Sequence, residues 1–162
     1  MAGEHLKTQL PVLLFAALLG AAPPSRAASL SVDSPAALKR NAATYKRDYI
    51  DPKGAYADAS IFSAVTGTIG GEKSVLLFLR LKGQCRVVHF SPSSASPKNG
   101  ILLDAPWCQF STAPTVTENQ EFARVKYAIR VKSSTSSEEI KLDKHTGEIC
   151  SNSWGNTELT CP

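Results

Sequence analysis

Residues 74–90, SVLLFLRLKGQCRVVHF, restrict the fold more than any other stretch. Val75, Leu77, Leu79 and Leu81 alternate with Ser74, Leu76, Phe78, Arg80 and Lys82. A period of two puts each set on one face of a strand. The second set is apolar at Leu76 and Phe78 and basic at its end, so the strand is expected to be buried on both faces and to meet solvent at Arg80 and Lys82. Lys82-Gly83 reads as a two-residue hairpin turn, because primed turns need positive φ and Gly supplies it. That turn places Leu77 opposite Val88 and Val75 opposite Phe90. An antiparallel sheet is therefore the expected framework.

The next cleanest alternation lies at residues 122–132. Val125, Tyr127, Ile129 and Val131 point one way, and Arg124, Lys126, Ala128, Arg130 and Lys132 the other. This is the pattern of a half-buried antiparallel strand with a basic outer face. Residues 133–137 read as a polar turn, followed by a return strand with Ile140 and Leu142 inward and Glu139 near the basic row. DKHTG at 143–147 reads as a tight hairpin loop with Gly147 left-handed. A last strand is expected to start at residues 148–150.

Elsewhere the signals are mixed. Ser34 and Pro35 suit the N-cap and first position of a helix, and Leu38, Ala42, Tyr45 and Tyr49 share one helical face up to Asp51-Pro52. The expectation is an amphipathic helix packed on a sheet. Residues 60–69 fit helix and strand alike, with Thr66 and Thr68 favouring strand, and Gly70-Gly71 would turn the chain into the central hairpin. SPSSASPKNG, residues 91–100, is a loop composition. Residues 101–103 read as a short strand, and residues 104–120, with Trp107, Cys108, Phe110 and Pro114, as loop-rich.

The first 27 residues read as a secretory signal peptide, with Lys7 before an apolar run and small residues Ser25 and Ala27 before Ala28. That apolar run is too short to span a bilayer. Subtracting 27 from 162 leaves 135 residues, expected to form one exported domain, residues 28–162. Without Lys7, Arg26 and Glu4, the 18 basic and 14 acidic residues become 16 and 13, too mild an excess to argue for nucleic acid. All four cysteines, Cys85, Cys108, Cys150 and Cys161, lie in this part. An even count in an oxidising compartment reads as two disulfides. Of the three pairings, Cys85–Cys108 and Cys150–Cys161 close neighbouring loops and are preferred. No CxxC or HxxxH spacing suggests a metal, and no cofactor is expected.

The fold expectation is α+β: an N-terminal helix on an antiparallel sheet of five to seven strands with two disulfides. The alternative is a small β-barrel or sandwich with a peripheral helix. No nucleophile elbow, zinc-protease motif or phosphate loop is present, and His89 and His145 fall in a strand and a turn. The leading functional expectation is a small, secreted or periplasmic, non-catalytic binding protein, an inhibitor or accessory factor acting on a protein or glycan. Its candidate residues are Trp154, in the loop between Cys150 and Cys161, and the basic row Arg124, Lys126, Arg130 and Lys132. The alternative readings are a carrier holding a small apolar ligand between helix and sheet, lined by Tyr45, Tyr49, Phe62 and Phe78, and a hydrolase using His89.

Overall fold

A computed structural model describes residues 29–50, 52–54, 56–69, 71–90, 100–147 and 149–152, with the side chains of 100–102 and 150–152 left aside. The signal-peptide expectation, Trp154 and the pairing of Cys150 with Cys161 lie outside the described residues.

The described chain runs β1 (Ser29–Val32), α1 (Pro35–Tyr49), β2 (Ser60–Ile69), β3 (Glu72–Leu81), β4 (Gln84–Phe90), β5 (Gly100–Ala105), β6 (Cys108–Glu118), β7 (Phe122–Val131), β8 (Ser134–Asp143) and β9 (Ile149–Asn152). The strands form two antiparallel sheets, β1-β2-β3-β4-β5 and β6-β7-β8-β9. One sheet of five to seven strands is thus corrected to two sheets of five and four. The helix on a sheet is as expected, and the sandwich of the alternative reading describes the rest.

The central hairpin explains the layering. Leu77 faces Val88 and Val75 faces Phe90, in the register that the two-residue turn requires. Gly83 has φ 81° and Lys82 φ 36°. Because side chains alternate, β3 sends Leu76 and Phe78 into the core between the sheets, and Val75, Leu77 and Leu79 into a second core beneath the helix. Each fully buried side chain of this kind contributes about 1.5–3 kcal/mol. The layers are therefore helix, five-stranded sheet, four-stranded sheet.

Ser34 caps the helix, accepting the Ala37 N–H at 3.2 Å, with Pro35 at the first helical position. Tyr45, Tyr49 and Leu38 face the second core. Asp33 fastens the start of the helix to β2: its carboxylate accepts the Tyr45 hydroxyl at 2.7 Å and the Thr66 hydroxyl at 3.2 Å. The whole of residues 60–69 is strand, since Ala64 and Val65 each have a core to enter on opposite faces. Gly67 is required by the close approach of β1: a Cβ there would lie 1.8 Å from the Ser29 carbonyl oxygen.

Two expectations change. Residues 108–118 form an eleven-residue strand rather than a loop-rich stretch. Its alternation is broken by register shifts at Phe110–Thr112 and Thr112–Thr115, which hide the period of two. Pro114 fits inside the second shift, on an edge strand, where a missing N–H costs no ladder bond. The turn after β7 is also shorter than residues 133–137: Val131 pairs with Ser134, Lys132 takes φ 56°, and Ser134 already belongs to β8. Serine and threonine sit easily on the exposed start of a strand, so their polarity did not mark a turn.

The Cys85–Cys108 disulfide is formed, with Cα atoms 5.2 Å apart. It joins β4 of one sheet to the start of β6 in the other, and both cysteines are buried. Among the described residues no helix is long and apolar enough to cross a membrane.

Candidate functional site

Three two-residue turns bear on one end of the sandwich. Lys82-Gly83 joins β3 to β4, Pro106-Trp107 joins β5 to β6, and Lys132-Ser133 joins β7 to β8. The Cys108 N–H donates to the Gly83 carbonyl at 2.9 Å, so the first two turns are bonded together beside the disulfide. Gly83, Trp107, Cys108, Gln109, Arg130 and Lys132 line an open depression of about 280 Å³.

Trp107 stands out there. It is 76% exposed and is the one large apolar side chain left exposed among the described residues. Its φ is 57°, in the left-handed region that Gly ordinarily fills. Pro106 presets the preceding φ, and Cys108 is anchored by its disulfide, so the turn holds a bulky ring in a conformation that costs of order 1 kcal/mol. An exposed Trp on a strained, crosslinked turn gains nothing for the core. Composition alone did not single it out; the signal available was its position beside Cys108, between a Pro and a predicted crosslink.

The basic row lies on the outer face of β7. Arg124, Lys126 and Arg130 are exposed, and Lys132 is exposed in the adjoining turn. Glu139 lies beside the basic row as expected, and the structure pairs it with Lys126 across the ladder at 3.4 Å. Arg130 donates to the Gln109 side-chain oxygen at 2.9 Å, which sets its guanidinium at the depression. On β8, Lys141 faces Arg124 and lies 3.7 Å from the centroid of the Phe122 ring. Across the middle of this face run Thr112, Ala128 and Ser137, all small.

The residues of the other readings are distributed differently. Tyr45 and Tyr49 pack beneath the helix, whereas Phe62 and Phe78 belong to the core between the sheets. Phe62 stacks on Phe110 with centroids 5.1 Å apart. The four aromatic residues therefore do not line one cavity. His89 is buried, with its Nε2 2.8 Å from the Ser74 Oγ, which is buried too. Burial holds the imidazole down to about 4, so it is neutral at ordinary pH. No carboxylate is hydrogen-bonded to either group among the described residues. A solvent-reached nucleophile is not what this pair offers. His145 lies in the exposed turn between β8 and β9. Among the described residues no cluster of three His, Cys, Asp or Glu side chains is arranged to hold a metal ion.

Glu138 stands opposite Tyr127 in the ladder between β7 and β8. It is buried, and the Ser136 hydroxyl donates to its carboxylate. Beside it the Tyr127 hydroxyl is buried with no hydrogen-bond partner among the described residues, and burial, reinforced by the Glu138 charge, raises its pKa.

No protein-family model matches this chain, and comparison with curated proteins and with solved structures finds no match. The class that the fold itself defines is a disulfide-braced antiparallel sandwich with one helix on its outer face.

Proposed function

We propose that this chain is a small exported binding protein that engages another macromolecule without catalysis. Its contact surface is the Trp107 turn together with the basic outer face of β7. The observation that carries the reading is the exposure of Trp107 at a left-handed φ on a turn braced by Cys85–Cys108. Tryptophan dominates many interface energies, and a preordered turn lowers the ordering cost of association. The exposed cations Arg130 and Lys132 lie at the same end, and Arg124 lies further along the same face, where they can steer an anionic partner. Export is supported by the N-terminal pattern and by a disulfide of the kind that oxidising compartments preserve. The loop holding Trp154 is a further candidate contact.

The test separates folding from binding. Trp107→Gly relieves the left-handed φ, so the unfolding free energy is expected to stay level or rise by up to about 1 kcal/mol. Binding to extracytoplasmic material captured by the wild-type chain is expected to fall at least about tenfold. Unchanged binding by Trp107→Gly would remove this surface from the proposal. N-terminal sequencing of secreted protein is expected to begin at Ala28, and material retaining residues 1–27 would refute export by this signal.

A further inference from the structure

The partner's chemistry can be read from the same surface, on the assumption that this surface is the contact site. We infer that the outer face of the four-stranded sheet binds a linear, carboxylate-bearing polysaccharide, a polyuronate, laid along β7 with its end stacked on Trp107.

Three observations lead there. First, the face is cationic and polar rather than apolar. Arg124, Lys126, Arg130 and Lys141 project from it against two carboxylates on the same face, Glu139, paired with Lys126, and Asp143, whose carboxylate accepts the His145 and Thr146 N–H groups, and Lys132 adds a positive charge at the turn. The polar and small residues paired along the rest of this face are Gln109, Thr112, Thr115, Thr117, Ala128, Thr135 and Ser137. Hydroxyl and amide groups of this kind exchange hydrogen bonds with sugar hydroxyls. A protein partner would be expected to meet an apolar centre, and the ring of Phe122 is the one large apolar group here, covered by Lys141.

Second, the charges are arranged in line and spaced. Six residues at the strand rise separate Arg124 from Arg130 by ~20 Å, with Lys126 ~7 Å from Arg124. A basic group at one end, Arg124 with Lys126 and Lys141, is thus set apart from a second at Arg130 and Lys132. Between them the Thr112–Ala128–Ser137 row leaves low ground for a chain to cross. This density suits one carboxylate on each ring or every second ring. It falls short of the charge that a heavily sulfated chain presents.

Third, Trp107 sits at the end of that line, above a shallow, open depression edged by Arg130, Lys132 and Gln109. A flat indole beside a guanidinium already oriented by Gln109 suits a pyranose ring stacked on one and its carboxylate forked by the other.

The experiment is calorimetric titration of the exported chain with polygalacturonate, digalacturonate, neutral dextran and poly-glutamate, each at low and at physiological salt. Polygalacturonate is expected to bind, dextran not to bind, and digalacturonate, which reaches only one basic group, to bind at least about tenfold more weakly. Trp107→Gly is expected to weaken polygalacturonate at least about tenfold. Arg124→Gln with Arg130→Gln is expected to weaken it similarly and to flatten the salt dependence. Lys39→Gln with Arg40→Gln, on the helix layer, is expected to change nothing. All these positions are exposed, so the variants keep the fold, checked by their circular dichroism. Equal binding of poly-glutamate, indifferent to Trp107→Gly, would overturn the inference in favour of plain charge attraction. No binding of polygalacturonate, alongside capture of a protein that Trp107→Gly abolishes, would overturn the polysaccharide and leave the surface standing. Loss of neither by Trp107→Gly would overturn both.

Discussion

The two sheets are built from the same strand chemistry and end in opposite conditions. In the five-stranded sheet, β3 is buried on both faces from Ser74 to Leu79, against the helix on one side and the second sheet on the other. In the four-stranded sheet, β7 alternates buried and exposed residues along most of its length. The inner sheet therefore carries stability, and the outer sheet is free to carry chemistry on its wet face. A side chain added to the outer face changes what the protein meets, whereas one altered on β3 disturbs two cores at once.

That contrast is easiest to break at Phe78. It is fully buried and meets Phe110 and Tyr127 edge-on, at 5.6 and 5.3 Å between centroids. Phe78→Ala is expected to cost about 3–5 kcal/mol in chemical denaturation. Arg124→Ala on the outer face is expected to stay within about 0.5 kcal/mol. Comparable losses at the two positions would mean that the sheets share the load.

The next largest effect concerns pH. Folded His89 titrates at about 4 because burial penalises its charge, while an unfolded histidine titrates near 6.5. As pH falls below about 6.5 the unfolded chain takes up a proton that the folded chain refuses. Stability from this group is full above that point, declines down to about 4, and is level below it. The total is about 3 kcal/mol. Urea denaturation across this window measures the slope, and His89→Asn is expected to flatten it. An identical slope in the variant would assign the acid sensitivity to other groups.

Tyr127 sharpens the comparison from the outer sheet's inward face. Its hydroxyl is buried without a partner among the described residues, so Tyr127→Phe removes an unmet polar group and leaves the ring contacts in place. Stability is expected to hold or to rise by about 1 kcal/mol. A loss beyond that in the melting curve would show that the hydroxyl is satisfied in solution. Smallest of all is the Lys126–Glu139 pair, 3.4 Å apart and partly exposed. A double-mutant cycle is expected to give a coupling of about 0.2–1 kcal/mol, fading with salt.

Much of this architecture was legible along the chain because its causes are local. The register of the central hairpin follows from a two-residue turn and a period of two, which by themselves pair Leu77 with Val88. The helix bounds follow from a cap at Ser34 and a stop before Pro52. The inward set Val125, Tyr127 and Ile129 and the position of Glu139 beside the basic row were readable in the same way, whereas Cys85–Cys108 was the preferred pairing among the alternatives. β6 was not, because two register shifts scramble its alternation and Pro114 resembles a loop residue.

The candidate site divides along the same line. The basic row of β7 was visible as Arg or Lys at alternate positions from Arg124 to Lys132, interrupted at Ala128. Trp107 was not distinguishable from a ring folded into the core, since exposure is a property of everything around a side chain. By itself the sequence determined strand period, turn chemistry and caps, because φ preferences and side-chain alternation act within a few residues. Only the tertiary structure decided that the strands split into two sheets, which face of each was buried, and that a strained turn presents its Trp to solvent. Those outcomes depend on contacts between residues far apart in the chain, which no local pattern encodes.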